Sequence, residues 1–124
     1  MARVHLEFTA LPEHVRTARL VATAVARRLG FADETLEEIR LAVGEACARA
    51  VQRSSALDEA GTVRVVLDDG EGRLVVEVSD DAPGQAADPG DLSLTLVEGL
   101  ADTVTLDAGA DGRGCLMRLT WGIA

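Results

Sequence analysis

A chain of 124 residues, 48% hydrophobic and 27% charged, has room for one hydrophobic core and carries too much apolar side chain to stay disordered. At 2% aromatic residues the core must be assembled from Leu, Val, Ile and Ala. The formal net charge of −9 disfavours a nucleic acid or an anionic membrane surface as partner, and since all 12 cations are Arg, Schiff-base and P-loop lysine chemistry are excluded.

At the amino terminus Met1 to Leu6 lack the apolar stretch of a secretory signal, and no apolar run approaches the ~18 residues of a membrane span. The expected location is therefore cytoplasmic. Val4, Leu6 and Phe8 alternate with His5, Glu7 and Thr9, which predicts a first strand with one buried face. Pro12 suits a first helical turn, and Val15, Ala18, Ala22, Val25 and Leu29 then form an apolar stripe opposite Arg16, Arg19, Thr23 and Arg27. Gly30 is placed to cap that helix. A second helix is expected from an Asp33 N-cap to about Val51, with Glu34, Glu37 and Glu38 against its positive end.

Ser54 to Gly61 read as a loop. Val63, Val65, Leu67 and Leu74, Val76, Val78 flank Asp68-Asp69-Gly70-Glu71-Gly72, the pattern of an antiparallel hairpin. A breaker-rich loop over Asp81 to Gly90 precedes a short helix from Leu92 to Leu100. Thr103 to Leu106 and Cys115 to Trp121 make a second hairpin. Cys47 and Cys115 lack CxxC spacing and fall in apolar segments, as inert structural thiols do. The order β, α, α, β, β, α, β, β predicts a single-domain, two-layer α/β sandwich, its sheet mixed but mostly antiparallel with helices on one face.

Three segments carry a resemblance: Val4 to Leu11, the Arg-bearing first helix, and Val43-Gly44-Glu45-Ala46-Cys47-Ala48-Arg49-Ala50-Val51. Together they resemble the anti-sigma factor serine kinases, the RsbW-like branch of the histidine-kinase-like ATPases with the Bergerat fold, over essentially the whole chain. The resemblance implies ATP with magnesium as cofactor, a sigma factor and an anti-anti-sigma antagonist as partners, and a homodimer. It makes Glu45 the catalytic base, but Arg49 stands where the family has a magnesium-holding Asn. Asp80 matches the Asp that accepts a hydrogen bond from adenine and Gly84 a glycine of the same motif, whereas Ala82 departs from it. Asp91-Leu92-Ser93-Leu94 aligns with a Gly-x-Gly motif and has neither glycine, and Cys115 replaces a Thr. An Arg of the family's first helix contacts the protein partners, and Arg19 matches it, with Arg16 beside it.

Those departures have physical consequences. Asp91 can cap the following helix and put a carboxylate where a triphosphate would sit. Arg49 has five donors and no acceptor, so it cannot ligate magnesium. One turn beyond Glu45, it is placed either for an i,i+4 ion pair with that carboxylate or for direct contact with phosphate. No metal ligands are expected.

Taken alone, Glu45 reads as part of a solvated helix face, Asp80 as turn chemistry and the Arg stripe as a solvated surface. The sequence therefore predicts a regulator that binds a sigma factor or its antagonist through Arg16 and Arg19, with nucleotide binding weakened or lost. The alternative is an active ATP-dependent serine kinase acting on the antagonist through Glu45 and Asp80. A small antagonist domain fits worse, because no serine precedes a helix after an early strand.

Overall fold

The computed structural model describes residues 2–54, 61–83, 91–109 and 113–123. Period-2 apolar patterning generates five strands, β1 (Ala2–Thr9), β2 (Thr62–Gly70), β3 (Arg73–Pro83), β4 (Thr103–Ala108) and β5 (Arg113–Gly122), in one sheet of order β1-β2-β3-β5-β4. Registration aligns the apolar side chains in rows across it. Leu6, Val65, Val78, Met117 and Leu106 form one row, and Val4, Leu67, Val76, Leu119 and Val104 the next. This face carries the buried core, while Arg64, Glu77 and Arg118 mark the other.

All four strand pairings are antiparallel, so the sheet is not mixed as expected. The reason lies in the helices α1 (Val15–Leu29), α2 (Asp33–Ser54) and α3 (Leu92–Leu100). Two helices between β1 and β2 return the chain to the end that β1 left, so β2 runs back along it. The single-helix crossover after β3 does produce a strand of the same direction, β4, but β5 inserts between them.

Local details refine the sequence reading. Pro12 opens a 3-10 turn (Pro12–His14) that leads into α1, and Gly30, at φ 90°, caps α1 as anticipated. Asp33 is the first residue of α2 rather than its cap, because the Leu36 N–H already donates to the Ala32 carbonyl at 2.9 Å. That helix continues past Val51 to Ser54. In the first hairpin the turn is only Glu71-Gly72, with φ of 56° and 73°, the left-handed pair that matches strand twist. Asp81, Ala82 and Pro83 belong to β3 instead of a loop, pairing with β5 across an irregularity between Asp80 and Pro83.

The core fills the space between the sheet and the helices. Val15, Ala18, Ala22 and Val25 of α1 and Leu36, Ile39, Val43, Ala46 and Ala50 of α2 meet Val63, Val65, Leu67, Val76, Leu119 and Trp121. At one corner Trp121 Nε1 donates to the Leu100 carbonyl at 3.0 Å, which fixes the end of α3 to β5. No helix among the described residues is long and apolar enough to cross a membrane.

Candidate functional site

The candidate site is assembled on the carboxy-terminal half of α2. The apolar stripe there is interrupted by Arg49, whose side chain is 8% exposed. A guanidinium so buried needs partners, and it finds them across the fold. Its Nε donates to Asp91 Oδ2 at 2.9 Å, and its Nη1 contacts Cys115 Sγ at 3.5 Å. Asp91 is the N-cap of α3, as its position before Leu92 predicted, and its Oδ1 accepts the Leu94 N–H at 3.0 Å.

Burial pushes the Asp91 carboxyl up, but the Leu94 N–H and the Arg49 guanidinium outweigh it and hold it below its ordinary value. For Arg49 burial works downward, and the bonds to Asp91 and Cys115 reverse it, so its affinity for the proton is raised. The expected ion pair between Arg49 and Glu45 is therefore not formed. Arg49 turns inward because Asp91 offers a charged acceptor in a drier place than the helix surface does. Glu45 instead accepts a hydrogen bond from Ser93 Oγ at 3.4 Å, on the first turn of α3.

One turn beyond Arg49, Arg53 makes the equivalent contact with the end of β3. Its Nε donates to Asp80 Oδ2 at 3.1 Å and its Nη2 to the Ala82 carbonyl at 3.2 Å. Asp80 Oδ1 accepts the Ala82 N–H at 2.9 Å, so both carboxylate oxygens of this 4% exposed residue are engaged. Asp80 and Cys115 are register partners, which makes the two ion pairs neighbours. Between them lies Gly114, at φ 81°, where a Cβ would overlap the Asp80 carbonyl oxygen. Only glycine permits this approach of β5 to Asp80. Gly84 lies outside the described residues.

The structure thus places Glu45, Arg49 and Asp80 where the carboxy-terminal half of α2 faces α3 and the end of β3, and adds Asp91, Ser93, Arg53 and Cys115 as their contacts and neighbours. Arg53 was missed by sequence reasoning. The signal was its i,i+4 spacing from Arg49, two cations following a buried stripe. The residues present do not offer the oxygen set of a triphosphate-bound magnesium: Arg49 has no acceptor, and the oxygens of Asp80 and Asp91 already hold N–H donors. Among the described residues there is no group of three or more His, Cys, Asp or Glu placed to hold a metal ion. Cys47 is a buried free thiol that burial pushes up to about 12, so it is protonated at neutral pH.

Arg16 and Arg19 lie elsewhere, on the α1 side of α2. They border a groove of about 820 Å³ whose apolar lining includes Leu11, Pro12, Val15 and Val51. Arg19 runs across α2 at Gly44, where a Cβ would overlap its Nε. Neither guanidinium has an ion-pair partner among the described residues.

Comparison with known proteins places this geometry. A family model described as the histidine kinase-like ATPase domain matches residues 8–121. Serine-protein kinase RsbW of Bacillus subtilis is 36% identical over 78 residues, 63% of this chain and 49% of that protein. The Listeria innocua protein of the same name is 35% identical over 78 residues, 63% of this chain and 50% of its own. The chain thus spans about half the length of the curated relatives it matches. In fold it is similar to the crystal structure of the RsbU and RsbW domains of Rv1364c from Mycobacterium tuberculosis, with a TM-score of 0.77 and 23% identity over 98% of this chain and 32% of that one. A two-layer sandwich with this helix order, matched from β1 to β5, makes the chain a member of the histidine kinase-like ATPase family, of RsbW-like type.

Proposed function

We propose that this chain is a cytoplasmic, homodimeric regulator that acts by binding. It captures a sigma factor or an anti-anti-sigma antagonist through Arg19 and Arg16, and it does so without nucleotide. The observation that carries this reading is the ion pair of Arg49 with Asp91, residues 42 apart in sequence. In the resembling kinases, Asn at the position of Arg49 holds magnesium and glycines near Asp91 admit phosphate. Here the two replacements are complementary charges that join α2 to α3 directly. Each alone would obstruct nucleotide, and together they supply a bridge made by the protein.

Partner recognition keeps the opposite character. The cations of α1 are available, in a strongly acidic protein, beside an apolar groove of a volume that suits side-chain insertion. That contrast supports retention of the fold as a binding scaffold.

Calorimetric titration with ATP and ADP, with and without magnesium, tests the nucleotide half. No heat is expected from the parent protein, and binding is expected to emerge only in Arg49→Asn with Asp91→Gly. Micromolar binding by the parent, or phosphate transfer to a serine of an antagonist, would restore the active serine kinase with Glu45 as base and Asp80 as adenine anchor. Capture assays with the sigma factors and antagonists of the source genome test the partner half: Arg19→Glu should abolish capture and Glu45→Ala should leave it intact.

A further inference from the structure

The side of α2 away from α1 carries a second surface of different chemistry. Here α2 packs against α3, and a recess of about 370 Å³ opens between them, lined by Leu41, Glu45, Thr95, Leu96, Gly99 and Leu100. Large apolar side chains stand out around it. Leu41 is 44% exposed, Leu96 53% and Leu92 76%, half of the six large apolar residues that the described structure leaves open to solvent. Such clustering on one face differs from scattered surface leucines.

The rim of this face is anionic. Glu38, Leu41 and Glu45 fall at i, i+3 and i+7, so one ridge of α2 presents an apolar side chain between two carboxylates. Neither Glu38 nor Glu45 has an ion-pair partner among the described residues, and the cations nearest them in sequence, Arg40 and Arg49, are held by Glu37 and Asp91. Glu98 adds a further exposed acidic residue on α3.

We propose that the α2/α3 groove docks a cationic amphipathic helix of a partner protein. Its aliphatic stripe enters the recess between Leu41 and Leu96, and Lys or Arg on its flank faces Glu38 and Glu45. Two adjacent helices running in opposite directions, with an open apolar seam, form the groove that a third amphipathic helix fills. The charge argues for the occupant. A second copy related by a two-fold axis would bring the same carboxylates against one another, and an anionic membrane is repelled by the rim. The site is separate from the Arg16 and Arg19 face, so the chain carries two docking surfaces of opposite sign.

The probe is a fluorescent helical peptide of Leu and Lys, about 18 residues long, with a Leu and Glu counterpart as control. Anisotropy should show the cationic peptide binding more weakly as salt rises from about 0.05 to about 0.3 M, with methyl NMR shifts centred on Leu41 and Leu96. Leu96→Asp should weaken binding at least about tenfold and Glu38→Lys about threefold, whereas Leu20→Asp, an equally exposed position on α1, should change it less than about twofold. Should Leu96→Asp prove unstable by circular dichroism, Glu38→Lys carries the test. No binding, equal binding of the anionic peptide, or equal weakening by Leu20→Asp would overturn the proposal. So would a dimer that Leu96→Asp dissolves, since it would assign the face to a second copy. Arg19→Glu is expected to leave peptide binding unchanged, so failure here is distinguishable from failure of the partner reading at α1.

Discussion

The two sides of α2 handle arginine in opposite ways. Toward α3 and the end of β3, Arg49 is buried and Arg53 half-buried, each hydrogen-bonded to a carboxylate from a distant segment. Toward α1, Arg16 and Arg19 border an open groove with no ion-pair partner among the described residues. The same residue type is thus structural on one side and available on the other. Burial separates the extremes: the guanidinium of Arg49, 8% exposed, is too costly to keep without a carboxylate, while exposed Arg16 needs none.

The sharpest way to break this comparison is to remove one partner of the inner pair. Arg49→Asn leaves Asp91 with its cap bond but no cation, and should cost about 3 kcal/mol in urea denaturation, as breaking a buried pair does. Restoring neutrality with Asp91→Gly as well should recover part of that loss, giving a coupling that a double-mutant cycle reads directly. Additive losses would show that the pair contributes nothing beyond its separate members. A smaller effect is expected at the junction beside it. Gly114→Ala meets both an unfavourable φ of 81° and the Asp80 carbonyl oxygen, and should cost about 2 kcal/mol by the same measurement.

Acid sharpens the comparison further. The Asp91 carboxyl is held below its ordinary value, so its contribution is full above the unfolded pKa of about 4 and is lost as pH falls through the lower native value. Thermal melting between about pH 5 and pH 2 should therefore show a steeper decline for the parent than for Asp91→Asn. Equal slopes would mean that the carboxylate gains nothing from Arg49 in the folded state.

Much of this was legible in the sequence. Alternation located the first three strands, apolar spacing the first two helices, and the breaker-rich loops the short last helix and the second hairpin, and Asp91 stood out as a cap because its carboxylate precedes an apolar helix start. The partner of Arg49 was not legible. The i,i+4 rule treats a helix as isolated, and by that rule Glu45 was its natural partner. In the folded chain Arg49 lies among Ala46, Cys47 and Ala50, on the buried face, where only tertiary packing could reveal Asp91. The β3 extension through Pro83 was hidden for a related reason. Proline and acidic residues signal a break, yet β5 continues to pair with this segment after a register shift that local patterning does not encode.

The smallest effect on stability is expected from Arg19→Glu, and its smallness is what makes it informative. Arg19 is half-buried, and its guanidinium lies over Gly44, so some packing is lost, but no ion pair among the described residues breaks. A cost below about 1 kcal/mol in urea denaturation follows for a surface change of this kind. If that value is found while partner capture disappears, the loss belongs to recognition and not to folding. If Arg19→Glu instead destabilises as much as Arg49→Asn, the α1 cation is structural too, and the division of arginines across α2 collapses.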